Sequence, residues 1–339
     1  MPSLFAMHPA VAASSSDAER RLARSIDRHR AGPLALALER RELGPYRGYS
    51  EMLVAIRDLV ERGARLEVIG ESVDGEPLFA LAIGAAESKR TSVLLSGLHP
   101  MEWIGIETQL VLLDRLVEKP PVDRRIVSIV LANPDGVIQV EQNLRLIRHR
   151  FVRHNRRRVD LNRNFPSYWG RFSLIKLLPK RFYRPGTGPA SEPEVRAITS
   201  FLKGSMVDRA VSFHSFGGLV LHPYGALLRP PLDVVEHRRW ARYVAQRADA
   251  RRPYRVLQSS HWVPGITAPG MELDYFHDQH GALSLLIECS RGGQALFPPR
   301  LSKLLEPFAW FNPPRPDACA PAIASAVEPF ARGLVRPNP

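Results

Sequence analysis

The stretch SVLLSGLHPMEW (residues 92–103) runs from four residues of buried-strand character straight into a histidine and a glutamate. A short, almost fully apolar run reads as a strand covered on both faces. Three further runs share that character: residues 126–131 (IVSIVL), 210–213 (AVSF) and 283–287 (LSLLI). Helical patterns separate them. Residues 106–117 are amphipathic, and SEPEVRAITSFL (191–202) opens with Ser191 and Glu194 at capping-box spacing. VVEHRRWARYVAQRA (234–248) places Val235, Trp240, Tyr243 and Val244 at helical spacing. The alternation predicts an α/β domain whose central strands are covered on both faces.

Upstream, a helix is expected after Ser50 as its cap, with Met52, Leu53, Ile56, Leu59 and Val60 as the apolar stripe and Gly63 as the stop. LEVIGESVDGEPLFALAIG (66–84) alternates and turns at Asp74-Gly75, which reads as a hairpin. The expected organisation is an N-terminal extension (1–45) with one helix over residues 17–30, an α/β domain (46–311), and a Pro/Ala-rich tail (312–339) with little structure of its own.

Composition narrows the classes. The 339 residues are 45% hydrophobic and 24% charged, as in soluble globular chains. No stretch approaches the roughly 20 apolar residues of a membrane span. Cys289 and Cys319 are too few for a structural zinc cluster or a disulfide framework. MPSLFAMHPAVAASSS lacks the basic n-region of a signal peptide, so a cytoplasmic chain is expected, with secretion as the alternative. The net charge of +13 suits either an anionic partner or an arginine-rich proteome. The second reading is preferred, and no nucleic-acid partner is expected.

Open α/β sheets bind ligands beyond the carboxyl ends of their strands. His99 and Glu102 follow the first run, the turn signal NPDG (133–136) the second, His214 the third and Glu288 the fourth. Two imidazoles and a carboxylate, with a position left for water, form a catalytic zinc ligand set. Glu288 then supplies a second carboxylate to accept and return the water's proton. Taken singly these residues are bland: a lone His-x-x-Glu arises by chance, and a strand-end histidine is commonly structural. Glu288 is less so, because a carboxylate in an apolar strand costs stability unless it is paired or bound. Their joint placement carries the reading.

A basic run, RLIRHRFVRHNRRRVDLNRNF (145–165), adds a second constellation. Arg163 beside Asn162 suits the grip of a carboxylate, and Arg153 the stabilisation of an oxyanion. Arg145, Arg148, Arg156, Arg157 and Arg158 read as a solvated face.

Assembled, GLHPMEW, NPDG, RHNRRRVDLNRNF, SEPEV, SFHSFGGLVLHPYG and LLIECS resemble the zinc carboxypeptidase family in order and over about residues 46–300. The resemblance implies a mixed, mostly parallel eight-stranded sheet flanked by helices. It also implies one zinc ion on His99, Glu102 and His214, with Glu288 as general base and Arg153 at the scissile carbonyl. Asn162 and Arg163 would hold the terminal carboxylate of a peptide or protein substrate, and a monomer is expected. The implied activity is that of a metallocarboxypeptidase. The alternatives are a murein-peptide or amide hydrolase of the same fold and an inactive basic binding protein. Three positions depart from the family or leave it open. Phe216 stands where a tyrosine is usual, Ile266 falls at the mobile tyrosine (Tyr254 and Tyr275 being nearest), and Glu272 and Leu273 compete for the specificity pocket.

Overall fold

In the computed structural model, which describes residues 11–30, 43–177, 183–291 and 306–334, the first hairpin forms around Asp74-Gly75. It pairs β1 (Arg65–Glu71) antiparallel with β2 (Pro77–Gly84). The remaining strands are β3 (Arg90–Ser96), β4 (Arg125–Ile129), β5 (Met206–His214), β6 (Leu219–His222), β7 (Arg255–Gln258) and β8 (Leu283–Glu288). They join one eight-stranded sheet in the order β1-β2-β4-β3-β5-β8-β6-β7. The central run β4-β3-β5-β8 is parallel. β2/β4 and β6/β8 are antiparallel, so the sheet is mixed.

Helices cover both faces, which explains why the central strands are apolar throughout. On β3, Leu94 enters one core, whereas Val93 and Leu95 enter the other, following the two-residue period of a strand. The larger core lies under α2 (Tyr49–Glu61), α3 (Trp103–Glu118), α4 (Pro134–Arg145) and α6 (Val234–Ala248). The smaller lies under α5 (Pro193–Leu202) and α7 (Glu272–His280). Among the described residues no helix is long and apolar enough to cross a membrane.

Several local expectations are corrected. α2 is capped at Gly48, two residues before Ser50, and Glu51 accepts the Gly48 N–H at 2.9 Å. NPDG opens a helix: Asn133 caps α4 through the Gly136 N–H, with Pro134 in the first turn, where it costs no hydrogen bond. The Ser191/Glu194 box does not form. Ser191 bonds Glu192 instead, and Asn155 donates to Glu194.

The boundaries drawn at residues 45 and 311 do not separate a packed unit from its ends. α1 (Val11–His29) buries Ala18, Leu22 and Ile26 in the larger core, and Arg28 and His29 bond Glu76. α8 (Pro307–Phe311) is followed by α9 (Ala320–Ala331), which packs between α3 and α6. Ile323, Ala324, Val327, Phe330 and Ala331 form its buried face. The proline and alanine content suggested a tail, but Pro321 sits in the exposed first turn and the small residues let the helix settle closely against its neighbours. Residues 1–10 of the segment weighed as a signal (1–16) and residues 335–339 of the tail lie outside the described residues.

Leu22→Ala and Phe330→Ala are each expected to lower unfolding stability by about 2–5 kcal/mol in urea titrations. Leu334→Ala, at an exposed position, should stay within about 0.5 kcal/mol. Equal, negligible effects at all three would mean that the ends contribute nothing to the core.

Candidate active site

β3 ends at Ser96, and Gly97 (φ +71°) turns the chain where a Cβ would stand 2.9 Å from the Val130 carbonyl oxygen. One turn then closes, with the Glu102 N–H donating to the His99 carbonyl at 3.2 Å and the Trp103 indole N–H to that of Pro100 at 2.8 Å. This turn is the reason for the His-x-x-Glu spacing: it puts both side chains on the same side just before α3. β5 runs parallel beside β3, with Ser96 paired to Phe213, so His214 emerges next to them.

The three side chains converge. His99 Nδ1 lies 2.9 Å from Glu102 Oε1, and His214 Nδ1 lies 2.9 Å from Glu102 Oε2 and 3.1 Å from His99 Nδ1. One ligand atom from each falls within 4.8 Å of the others, and all three residues are buried. The outer ring nitrogens are held by carboxylates: His99 Nε2 by Asp160 at 3.1 Å and His214 Nε2 by Glu272 at 3.0 Å. A carboxylate accepting Nε2–H leaves Nδ1 as a lone pair facing inward. Two such lone pairs 3.1 Å apart repel unless a proton or a cation lies between them. Burial opposes charging His214, yet Glu102 and Glu272 push it up to about 10. Burial likewise works against the Glu102 carboxylate, but His99 and His214 hold it well below the usual range. A divalent cation would displace the proton. The donor set and its outer partners thus fit a zinc ion.

A cavity of about 310 Å³ opens over this centre, with Glu288, Arg153, Asn162 and Arg163 in its wall. β8 pairs with β5 so that Glu288 lies directly beside His214. Among the described residues Glu288 Oε2 has no hydrogen-bond partner, and burial, with the nearby Glu102 charge, pushes its carboxyl up to about 8. Arg153 donates from Nε to Asp160 Oδ2 at 2.8 Å, which sets Nη1 3.9 Å from Glu102 Oε1.

Asn162 and Arg163 sit in a 3₁₀ turn (Leu161–Arg163) capped by Asp160, whose Oδ1 accepts the Asn162 N–H at 3.0 Å. Gly270 (φ +80°) backs this turn, where a Cβ would come within 2.3 Å of the Arg163 carbonyl oxygen. Asn162 Oδ1 accepts the Glu272 N–H at 3.1 Å. Arg163 donates from Nη1 to the Asn162 carbonyl at 2.6 Å, and its Nε is buried without a partner. Among the described residues it makes no ion pair with a carboxylate, although burial drives its pKa down.

The structure brings together every residue singled out for chemistry and adds two. Asp160 lies inside VDLNRNF, where an acid in a basic run was the available signal. Glu272 was weighed as a specificity determinant, but it is fully buried and bonds His214 and Ser212. Leu273 is not itself in the cavity wall but packs behind it, among Leu219, Leu221 and Leu286 in a third apolar cluster. Ile266 does not line the cavity, whereas Trp262 from the same loop does, 47% exposed. Tyr254 is buried, its hydroxyl accepting the Ser290 N–H, and Tyr275 packs on Phe165. Phe216 lines the cavity and meets Phe311 edge-on at 5.4 Å. In the basic run, Arg145 pairs with Glu141 and Arg156 with Asp74, while Arg148, Arg157 and Arg158 are exposed.

Because Glu272 orients His214 without facing the ligand point, Glu272→Gln should weaken zinc affinity by about 10–100-fold. Competition against a chromophoric chelator measures this, and unchanged affinity would reduce Glu272 to a packing role.

A family model described as zinc carboxypeptidase matches residues 49–309. Mast cell carboxypeptidase A of Mus musculus is 25% identical over 225 residues, covering 62% of this chain and 54% of its own. The chain spans about half the length of the curated relatives it matches. Carboxypeptidase A from Helicoverpa armigera superposes with a TM-score of 0.70 at 20% identity, over 94% of this chain and 80% of that one. The murein-tripeptide amidase MpaA from Escherichia coli O157 does so with a TM-score of 0.50 at 22% identity, over 83% and 97%. At such identities the structural likeness establishes the fold. The matched model, by contrast, takes in the hairpin, the central strands and all the converging side chains: the chain belongs to the zinc carboxypeptidase family.

Proposed function

We propose that the protein is a zinc-dependent metallocarboxypeptidase that removes the C-terminal residue of peptides, with Glu288 as general base. The observation that carries this is Arg163, a cation in the cavity wall that pairs with no carboxylate among the described residues. Such a group is costly unless a ligand pairs it, and a guanidinium beside the Asn162 amide matches a terminal carboxylate. Bound there, a substrate presents its last peptide bond to the centre of the cavity.

A zinc ion on His99, Glu102 and His214 would supply Lewis acidity, polarising the carbonyl and easing deprotonation of water. Glu288, whose Oε2 is free, takes the proton of the attacking water and later delivers it to the departing amine. Arg153 stays charged because Asp160 and Glu102 outweigh the cost of its burial. Its Nη1 is placed to stabilise the oxyanion. Glu102 does not serve as the base in this reading, since it is one of the three side chains that would hold the zinc ion.

Glu288→Gln should lower kcat by about 10²–10⁴-fold while zinc content, read by atomic absorption, stays at that of the parent. Full activity in that variant would remove Glu288 from the mechanism. Peptides with a free C-terminus should be cleaved well above their amidated counterparts, and Arg163→Met should cost about 10–100-fold in kcat/KM on free termini alone. Equal cleavage of both peptides would overturn the exopeptidase reading in favour of an amide hydrolase.

A further inference from the structure

Arg255 opens β7 in a row that crosses four strands. His214 pairs with Glu288, Glu288 with Leu219, and Leu219 with Arg255. Directly paired residues project to the same face of a sheet, and all four line the cavity. At about 4.8 Å per strand, Arg255 stands about 10 Å from Glu288, on the side away from His99 and Glu102. That is where a side chain just beyond the scissile bond would lie when its carboxylate is held by Arg163.

The wall between them is apolar, formed by Leu219, Leu286, Met271 and Trp262. Arg255 uses its backbone N–H on the Gly218 carbonyl at 3.0 Å, and among the described residues its guanidinium has no ion-pair or hydrogen-bond partner. The carboxylates facing the cavity, Glu102 and Glu288, belong to the reacting centre. Arg153 is committed to Asp160, and Arg163 to the terminal carboxylate in the reading above. Arg255 is thus a third cation on the cavity, exposed to water at the end of the apolar wall, and among the described residues it pairs with no carboxylate.

We propose that Arg255 makes this cavity selective for an acidic C-terminal side chain, glutamate or aspartate. The inference rests on the carboxypeptidase reading. The apolar wall takes the methylene stem, and the guanidinium pairs the side-chain carboxylate through charge-assisted hydrogen bonds. A lysine or arginine in the same place meets a like charge, and an aromatic side chain leaves Arg255 facing it without a partner.

The test uses the zinc-loaded full chain and N-blocked tripeptides that differ only in their last residue: Glu, Asp, Gln, Phe or Lys. Glu and Asp should exceed Gln by about 10–100-fold in kcat/KM, with Lys poorest. Arg255→Gln should erase the preference for Glu over Gln, and Arg255→Glu should turn it towards Lys. A native preference for Phe or Lys, or a preference for Glu that survives Arg255→Gln, overturns the proposal. Calorimetric titration of the same peptides onto Glu288→Gln reads the pocket without hydrolysis. Discrimination there, with no cleavage by the native protein, would sink the activity and keep the pocket. Cleavage without discrimination would do the reverse.

Discussion

Asp160 is the carboxylate on which the candidate site depends. Its two oxygens hold His99 Nε2, the Asn162 N–H and Arg153 Nε, and its own N–H donates to the Arg184 carbonyl. One buried anion therefore orients the His99 ring, the turn that presents Asn162 and Arg163, and the aim of Arg153. Burial works against its charge, but Arg153 and His99 hold its carboxyl well below the ordinary range. A buried charge of this kind persists only when fully paired. Glu272 plays the matching part for His214, so both imidazoles are held from behind by carboxylates on different segments.

The sheet supplies the coarser alignment. Parallel neighbours β3, β5 and β8 end at one level, which brings His99, Glu102, His214 and Glu288 together although up to 189 positions separate them in the chain. Covering both faces of that sheet recruits both ends of the chain: α1 and α9 close the larger core. The back of the site and its open mouth are thus built from different parts of the chain. The strand ends are held by core packing, whereas Trp262 and its loop border the open cavity.

Strands and candidate metal ligands were legible because each leaves a local mark: an apolar run, then a histidine or an acid where the run stops. Arg153, Asn162 and Arg163 were legible through their residue types in a conspicuous basic stretch. Asp160 and Glu272 were not, since a carboxylate that serves another side chain looks the same in sequence as one that serves solvent. Glu272 and Leu273 could not be told apart for a related reason. Counting along the chain cannot tell which side of α7 faces the cavity: Glu272 bonds His214, and Leu273 packs behind the wall against Leu219, Met271 and Leu286.

Local periodicity and residue chemistry by themselves determined the α/β class, the hairpin, the central strands and the identity of the converging histidines and acids. Those features depend on neighbours a few residues apart. Tertiary structure alone decided that the Pro/Ala-rich end is a core helix, that Glu272 stands behind His214, and that Arg255 shares a row with Glu288. These follow from strand register and from which surfaces must be covered, and both are set by contacts between residues far apart in the chain.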